Sequence, residues 1–404
     1  MQILLIIGLV FVLGSFMKIF VQSLGILSVV GYLVLGIILG PSGFDLIPKE
    51  FIHGSSFIID ISLSLISVLV GANLRYDILK DMLKQIFAIS FFESIFTFLL
   101  ITISFYIMFD FLHFSFSREY RIIISILFGG LAIATAPATI LAVIHETKTK
   151  GKFNSFLLGI VAMDNAFALL FFSFIVIISK TFIDSSSIDN YLLLSIIKDM
   201  ILSIVVGGAG AFISEIIDRV FKKNQAVKTT STLGMIFITF STSQYFSLEP
   251  LLSSLVMGIV ASNLSKDFFL VKKEFDNHLK EIIFLLFFTI SAIHLNITFL
   301  IHMPFAIIIY VLFRITGKVT GVWIGSKISK GDESLAKHLG IALFPQAGIA
   351  IGLALSLQEV AGFEIVAPII LNIIIATTLI HELIGPFLTK FILIKYSKQK
   401  NKKA

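Results

Sequence analysis

The sequence predicts an all-α membrane protein of about thirteen transmembrane helices, built as inverted repeats with two crossing discontinuous helices. Three observations carry that prediction. Hydrophobic residues make up 57% of the 404 and charged residues 14%, where soluble domains run at about 45–50% and about 25%. Apolar runs of 17 residues or more recur from end to end, and each is long enough to cross about 30 Å of hydrocarbon as a helix. Two of these runs, seven spans apart, are interrupted by proline- and glycine-containing segments, which is the pattern of inverted repeats with broken helices. A transmembrane barrel would instead show segments of about ten residues with period-two alternation, and that alternation is absent from the sequence.

The runs lie at 3–19, 26–42, 56–72, 85–109, 121–145, 154–179, 200–217, 230–247, 250–265, 281–298, 303–326, 334–358 and 363–393. The first lacks a basic start and a small-residue cleavage site, so it reads as a retained helix rather than a signal peptide. Loop charge orients the rest. Arg75, Lys80 and Lys84 follow span 3, Lys148, Lys150 and Lys152 follow span 5, and Arg219, Lys222, Lys223 and Lys228 follow span 7. Lys266, Lys272, Lys273 and Lys280 follow span 9, and Lys327, Lys330 and Lys337 follow span 11. A short basic tail, 394–404, adds Lys395, Lys398, Lys400, Lys402 and Lys403. Loops after even-numbered spans are poor in basic residues, with Lys49, Arg118 and Lys180 as scattered exceptions. The positive-inside rule then puts the N-terminus outside and the C-terminus in the cytoplasm. The +6 formal charge is explained by this topology and not by nucleic-acid binding. With no cysteine, disulfides and thiolate metal sites are excluded.

An ionisable group inside a span costs about 2.5–3.5 kcal/mol on insertion scales and is a functional candidate by default. Glu93 in span 4, Asp164 in span 6, and Arg314 and Lys318 in span 11 are the candidates. Two acids and two bases can neutralise one another, and Glu93 is expected to pair with Arg314 because spans 4 and 11 are repeat equivalents. The breaks TAPAT (135–139) and PQAGIAIG (345–352) contain Pro137, Pro345 and Gly348. Proline removes an amide and clashes with the preceding turn. In lipid, the freed backbone persists only against protein or a wet cavity. Where the breaks cross, Thr135, Thr139 and Gln346 can offer oxygen ligands beside Asp164 and Asn165. The plain alternatives are a proline kink and ion pairs that only hold helices together; two breaks in matching positions favour a site. His294, Asn296, His338 and His381 read as interfacial residues near span ends. The sequence offers no phosphate loop, metal cluster or nucleophile arrangement, so neither catalysis nor a cofactor is expected.

Several segments resemble the monovalent cation:proton antiporter superfamily, in particular its sodium/hydrogen exchanger membrane domain. GYLVLGIILGPSGFDLIP (31–48) is similar to that family's second helix, IATAPATILAVIHE (133–146) to its first discontinuous helix and AMDNAFALLFFS (162–173) to its ion-site helix. RITGKVTG (314–321), LGIALFPQAGIAIGLAL (339–355), EPLLSSLVMGIVASNL (249–264), FLLFFTISAIHLNI (284–297) and ELIGP (382–386) follow in the family's order. The resemblance implies exchange of Na+ or K+ for H+ by alternating access, with the alkali cation at Asp164. It also implies a homodimer in a bacterial inner membrane. Spans 1–3 and 8–10 would form a dimerisation scaffold and spans 4–6 and 11–13 a mobile core, all within 1–393. Lys318 would pair with Asp164. The sequence departs from the family at Asp164-Asn165, where many members carry two aspartates. Asn165 is expected to serve as a neutral ligand, and a single acid at the crossing implies one-for-one, electroneutral exchange unless Lys318 also titrates, which would make it electrogenic. K+ efflux, Na+-coupled solute transport and a transport-deficient sensor on the same fold are the alternatives.

Overall fold

The computed structural model describes residues 3–111, 116–149, 152–183, 190–220, 225–265, 268–301, 303–330, 333–360 and 362–401. Of the loop and tail lysines above, Lys150, Lys222, Lys223, Lys266, Lys402 and Lys403 lie outside the described residues. The regular elements of the described residues are all helices, with no strand. This follows from the solvent: in hydrocarbon each amide and carbonyl must be satisfied within its own segment, and a helix does so.

Each expected span coincides with one helix or one broken pair. The first half comprises α1 (Ile3–Ser23), α2 (Ser28–Leu39), α3 (Ser56–Gly71), α4 (Leu83–Phe111), α5a (Arg118–Ala132) with α5b (Pro137–Thr147), and α6 (Lys152–Ile183). Helix α7 (Asn190–Val220) follows. The second half comprises α8 (Gln225–Tyr245), α9 (Pro250–Leu264), α10 (Lys280–Ile293), α11 (Pro304–Ile328), α12a (Glu333–Ala342) with α12b (Gly348–Ser356), and α13 (Val366–Asn401). Helices α1, α4, α6, α7, α11 and α13 are each long and apolar enough to cross a membrane, while α2, α3 and α9 are shorter apolar helices. A long helix, a broken helix and a long helix thus occur in the same order in both halves.

Proline places the breaks. Pro137 opens α5b, where a missing amide costs little because first-turn amides have no intrahelical acceptor. Pro345 lies between α12a and α12b, with Gly348 opening the second piece.

Small residues then bring the site-bearing helices together. Gly317, Gly321 and Gly325 form one stripe along α11. A methyl carbon at Gly317 or Gly325 would lie 2.6 or 2.7 Å from the Cα of Thr97 or Ile89 on α4. The two backbones therefore touch, as small-residue stripes allow in membranes. That contact puts Glu93 of α4 against Lys318 of α11. On the other side of the molecule, Gly71 of α3 and Gly258 of α9 each face a backbone carbonyl of the other helix, at Leu255 and Val68. Ser253 of α9 donates to Ser203 O on α7 at 2.9 Å and accepts from Ser243 of α8 at 2.7 Å, tying those three helices into one unit.

Candidate functional site

The two breaks cross and bond to each other directly, Ala136 N–H donating to Pro345 O at 3.0 Å. A helix that stops inside a membrane leaves its last carbonyls without partners, and buried carbonyls must find them. At the first break five consecutive carbonyls are met by side chains from other helices and from the second break. Leu131 O accepts from Gln346 Nε2 at 2.9 Å, Ala132 O from Arg314 Nε at 2.9 Å and Ile133 O from Lys318 Nζ at 3.0 Å. Ala134 O accepts from Arg314 Nη2 at 2.7 Å and Thr135 O from Asn165 Nδ2 at 2.8 Å. Arg314 also donates through Nη1 to Phe344 O at 2.7 Å, so a single guanidinium spans both breaks. Placing two cations at the C-terminus of α5a also complements the negative end of its dipole.

This geometry corrects the expected pairing of Glu93 with Arg314. All three of Arg314's described bonds go to carbonyls. Glu93 instead meets Lys318, with Nζ 2.5 Å from Oε1, and both side chains are fully buried. Arg314 and Lys318 lie one helical turn apart on the same face, and the lower one is level with Glu93. Lys318 Nζ also lies 3.7 Å from Asp164 Oδ2. The Thr135 hydroxyl joins them, accepting from Lys318 and donating to Asp164 Oδ2, each at 3.0 Å. Asp164 is fully buried, and its Oδ1 has no hydrogen-bond partner.

Asn165, expected as a neutral ligand, is engaged at both ends of its amide. Its Oδ1 accepts from Thr135 N–H at 3.1 Å while its Nδ2 donates to Thr135 O, so it clamps one broken peptide unit at two points. A carboxylate cannot donate, and an aspartate here would set negative charge against a carbonyl. Asn165→Asp, which recreates adjacent aspartates, is therefore expected to lower stability by about 1–3 kcal/mol. A thermal melt of the purified variant checks this, and an unchanged melting temperature would show that the clamp contributes nothing.

Thr139 does not join Asp164. Its hydroxyl donates to Glu382 Oε2 on α13 at 2.7 Å. Glu382 is buried and its Oε1 has no partner. Sequence reasoning passed over this residue, and it placed the neighbouring His381 near a span end. His381 is in fact in the middle of α13 and fully buried. Its Nδ1 lies 2.6 Å from Thr377 O, its ring is 4.8 Å from that of Phe344, and its Nε2 has no partner. Asp164 is thus not the only carboxylate at the crossing. Around it the described residues place Glu93, Asp164 and Glu382 against Arg314 and Lys318, one negative charge in excess when all are ionised. The three acids do not converge: among the described residues no group of three His, Cys, Asp or Glu could hold a metal ion together.

Two cavities flank this cluster. One, of about 860 Å³, is lined by Asp60, Asp199, Gln244, Glu249, Glu364 and, on α6, Phe172 and Ser173. The other, of about 60 Å³, is lined by Asn73, Thr139, Lys272, Lys280 and Gly348. Asp60 and Asn73 belong to opposite ends of α3, on the order of 20 Å apart along its axis, so the cavities open at opposite ends of the bundle. The wide cavity lies between α3 and α7–α9 on one side and α6, α12b and α13 on the other, and the narrow one between α2, α3 and α10 on one side and the two broken helices on the other. Asp164 lines neither cavity.

Solved structures with this architecture exist. The chain is similar to the sodium proton antiporter MjNhaP1 from Methanocaldococcus jannaschii at pH 8, with a TM-score of 0.77 at 19% identity over 96% of this chain and 97% of that one. A structure of the same antiporter from an electron-microscopy map gives a TM-score of 0.75 at 18% identity over 98% of each chain. Likeness at such identity concerns the fold. No curated protein matches the chain. The sequence itself supplies the membership. A family model described as the transmembrane sodium/hydrogen exchanger matches residues 8–395, a stretch that takes in both breaks and all five charged residues of the crossing. The chain belongs to the sodium/hydrogen exchanger transmembrane family.

Proposed function

We propose that the crossing is the exchange site of a monovalent cation:proton antiporter, in which Asp164 holds a proton and a cation in turn. The observation that carries this reading is the excess of one negative charge in a sealed, fully buried cluster. An uncompensated charge is expensive in low dielectric. A proton on Asp164 brings the cluster to neutrality, and so does one monovalent cation beside the ionised carboxylate. With neither, the cluster carries a net charge that would have to cross the interior. Only the two compensated states move at low cost, and that restriction couples the two flows. The unpartnered Oδ1 of Asp164 and the Thr135 hydroxyl supply hard oxygen donors suited to an alkali ion.

The two cavities support alternating access. The acidic cavity is wide and the basic one narrow, and each has α3 on one side and α12b on the other. In this reading α4–α6 and α11–α13 form the mobile core and α1–α3 with α8–α10 the scaffold, with α7 linking the halves. Lys272 and Lys280 line the narrow cavity and belong to the Lys-rich stretch after span 9, which supports a cytoplasmic side for that cavity by the positive-inside rule. The resemblance to the family is the ground for proposing a homodimer.

Reconstituted into liposomes, the protein should take up labelled Na+ or Rb+ in response to an imposed pH gradient. Flux of neither ion would overturn the reading, and the ratio of the two identifies the preferred cation. Both compensated states carry the same charge, so exchange should also be electroneutral despite the three acids. Clamping the membrane potential with valinomycin and K+ at a fixed pH gradient tests this. A Na+ flux that changes steeply with voltage would show that a second proton travels.

A further inference from the structure

We propose that Glu382 and Thr139 form a second binding site for the transported cation and its proton, placed between Asp164 and the narrow cavity. The proposal rests on the reading of Asp164 above and adds a residue to it.

Four observations converge on Glu382. It is one of the three acids around the crossing, and among the described residues it makes no ion pair, whereas Glu93 and Asp164 both lie within 4 Å of Lys318. Its only described side-chain bond is the one from Thr139, and its Oε1 is buried without a partner. Thr139 lines the narrow cavity, so Glu382 is one hydroxyl away from a path to the Lys-rich end of the bundle. Finally, residue 386 is a proline inside α13. A proline has no amide to give the carbonyl four residues back, and that carbonyl belongs to Glu382. Glu382 thus offers a carboxylate oxygen in a stretch of helix one amide short, and Thr139 adds a hydroxyl.

A helix end favours negative charge beside Glu382. Thr139 sits in the first turn of α5b, whose N-terminus carries partial positive charge. A carboxylate held this way can release a proton to accept a monovalent cation, and oxygen donors of this kind suit alkali ions.

The arrangement also follows the repeat. Asp164 is on α6 and Glu382 on α13, the last helix of each half. The first break serves both: Thr135 bonds Asp164 and, four residues on and across Pro137, Thr139 bonds Glu382. The acid that Asn165 does not provide on α6 is supplied from the opposite repeat. The exchangeable charge then passes between two carboxylates, Asp164 toward the centre and Glu382 toward the narrow cavity.

Glu382→Gln tests this, because glutamine keeps the shape and the bond from Thr139 but cannot exchange a proton. The full-length variant in liposomes should lose at least tenfold in pH-driven Na+ uptake. In detergent, adding NaCl to the purified protein should release protons from the wild type and not from the variant. Wild-type uptake with wild-type proton release would overturn the proposal, leaving Glu382 a neutral hydrogen-bonding residue. Should Glu382→Gln fail to give monodisperse protein, Thr139→Val decides: a KM for Na+ raised tenfold or more supports the site, and an unchanged KM overturns it. Asp164→Asn measured alongside separates the two readings. An active Asp164→Asn with an inactive Glu382→Gln sinks the assignment of Asp164 and leaves Glu382 as the site; the reverse sinks only the present proposal.

Discussion

Asp164→Asn is expected to abolish exchange while leaving the protein folded. Asparagine has the same shape, and its amide oxygen can still accept from Thr135, whose hydroxyl lies 3.0 Å from Oδ2. The change removes charge rather than packing. With Asp164 neutral, the remaining acids Glu93 and Glu382 balance Arg314 and Lys318. A cation entering the variant would carry an uncompensated charge into a site with no exposed surface. The loss should therefore appear as absent flux at every pH and cation concentration, not as a raised KM. Proteoliposome uptake beside a size-exclusion profile checks both halves. A folded variant that transports at the wild-type rate would remove Asp164 from the mechanism.

Arg314→Met should have the largest effect on stability. Methionine fills much of the volume but donates nothing, so Ala132 O, Ala134 O and Phe344 O lose their partners together. Each buried acceptor left unsatisfied costs about 1–3 kcal/mol, and the crossing also loses a positive charge beside two excess acids. The sum approaches the whole stability of an ordinary domain, about 5–15 kcal/mol. The variant should therefore fail to accumulate, or melt far below the wild type in detergent. Arg314→Lys should recover little, because a point donor cannot reach three carbonyls in two broken helices. A variant with methionine here that melts like the wild type would mean that water or lipid satisfies those carbonyls.

The long apolar runs, the two breaks and the buried Asp164 were readable from the sequence because each has a strong physical cause. Hydrocarbon demands helices, proline stops them, and a charge in a span is too expensive to be accidental. Pairing was harder to read. Arg314 and Lys318 differ by a single turn on one helix face, and spacing alone could not say which was level with Glu93. The glycine stripe at 317, 321 and 325 held that answer, since it sets how closely and at what height α4 and α11 meet. Asn165 was read by what an amide can coordinate. Its structural use depends on a broken peptide 30 residues away in the chain. Glu382 was missed because it lies late in a long apolar run, beside a histidine taken for an interfacial residue. Its signal was present: an acid in a span, followed four residues later by a proline that withholds the amide its carbonyl would otherwise accept from.

The two cavities also make the molecule electrically lopsided. Asp60, Asp199, Glu249 and Glu364 line the wide one, whereas Lys272 and Lys280 line the narrow one. A cleft lined by one sign of charge enriches counter-ions within it. The same bulk concentration of Na+ therefore presents a higher local concentration at the wide end than at the narrow end. Loading from the acidic face should be favoured at low ionic strength even when the bound states are equal in energy. Inert salt erodes that bias, since screening acts over about 10 Å at 0.1 M. The exchanger is then a better collector on one face than on the other in dilute solution, and nearly symmetrical in concentrated salt.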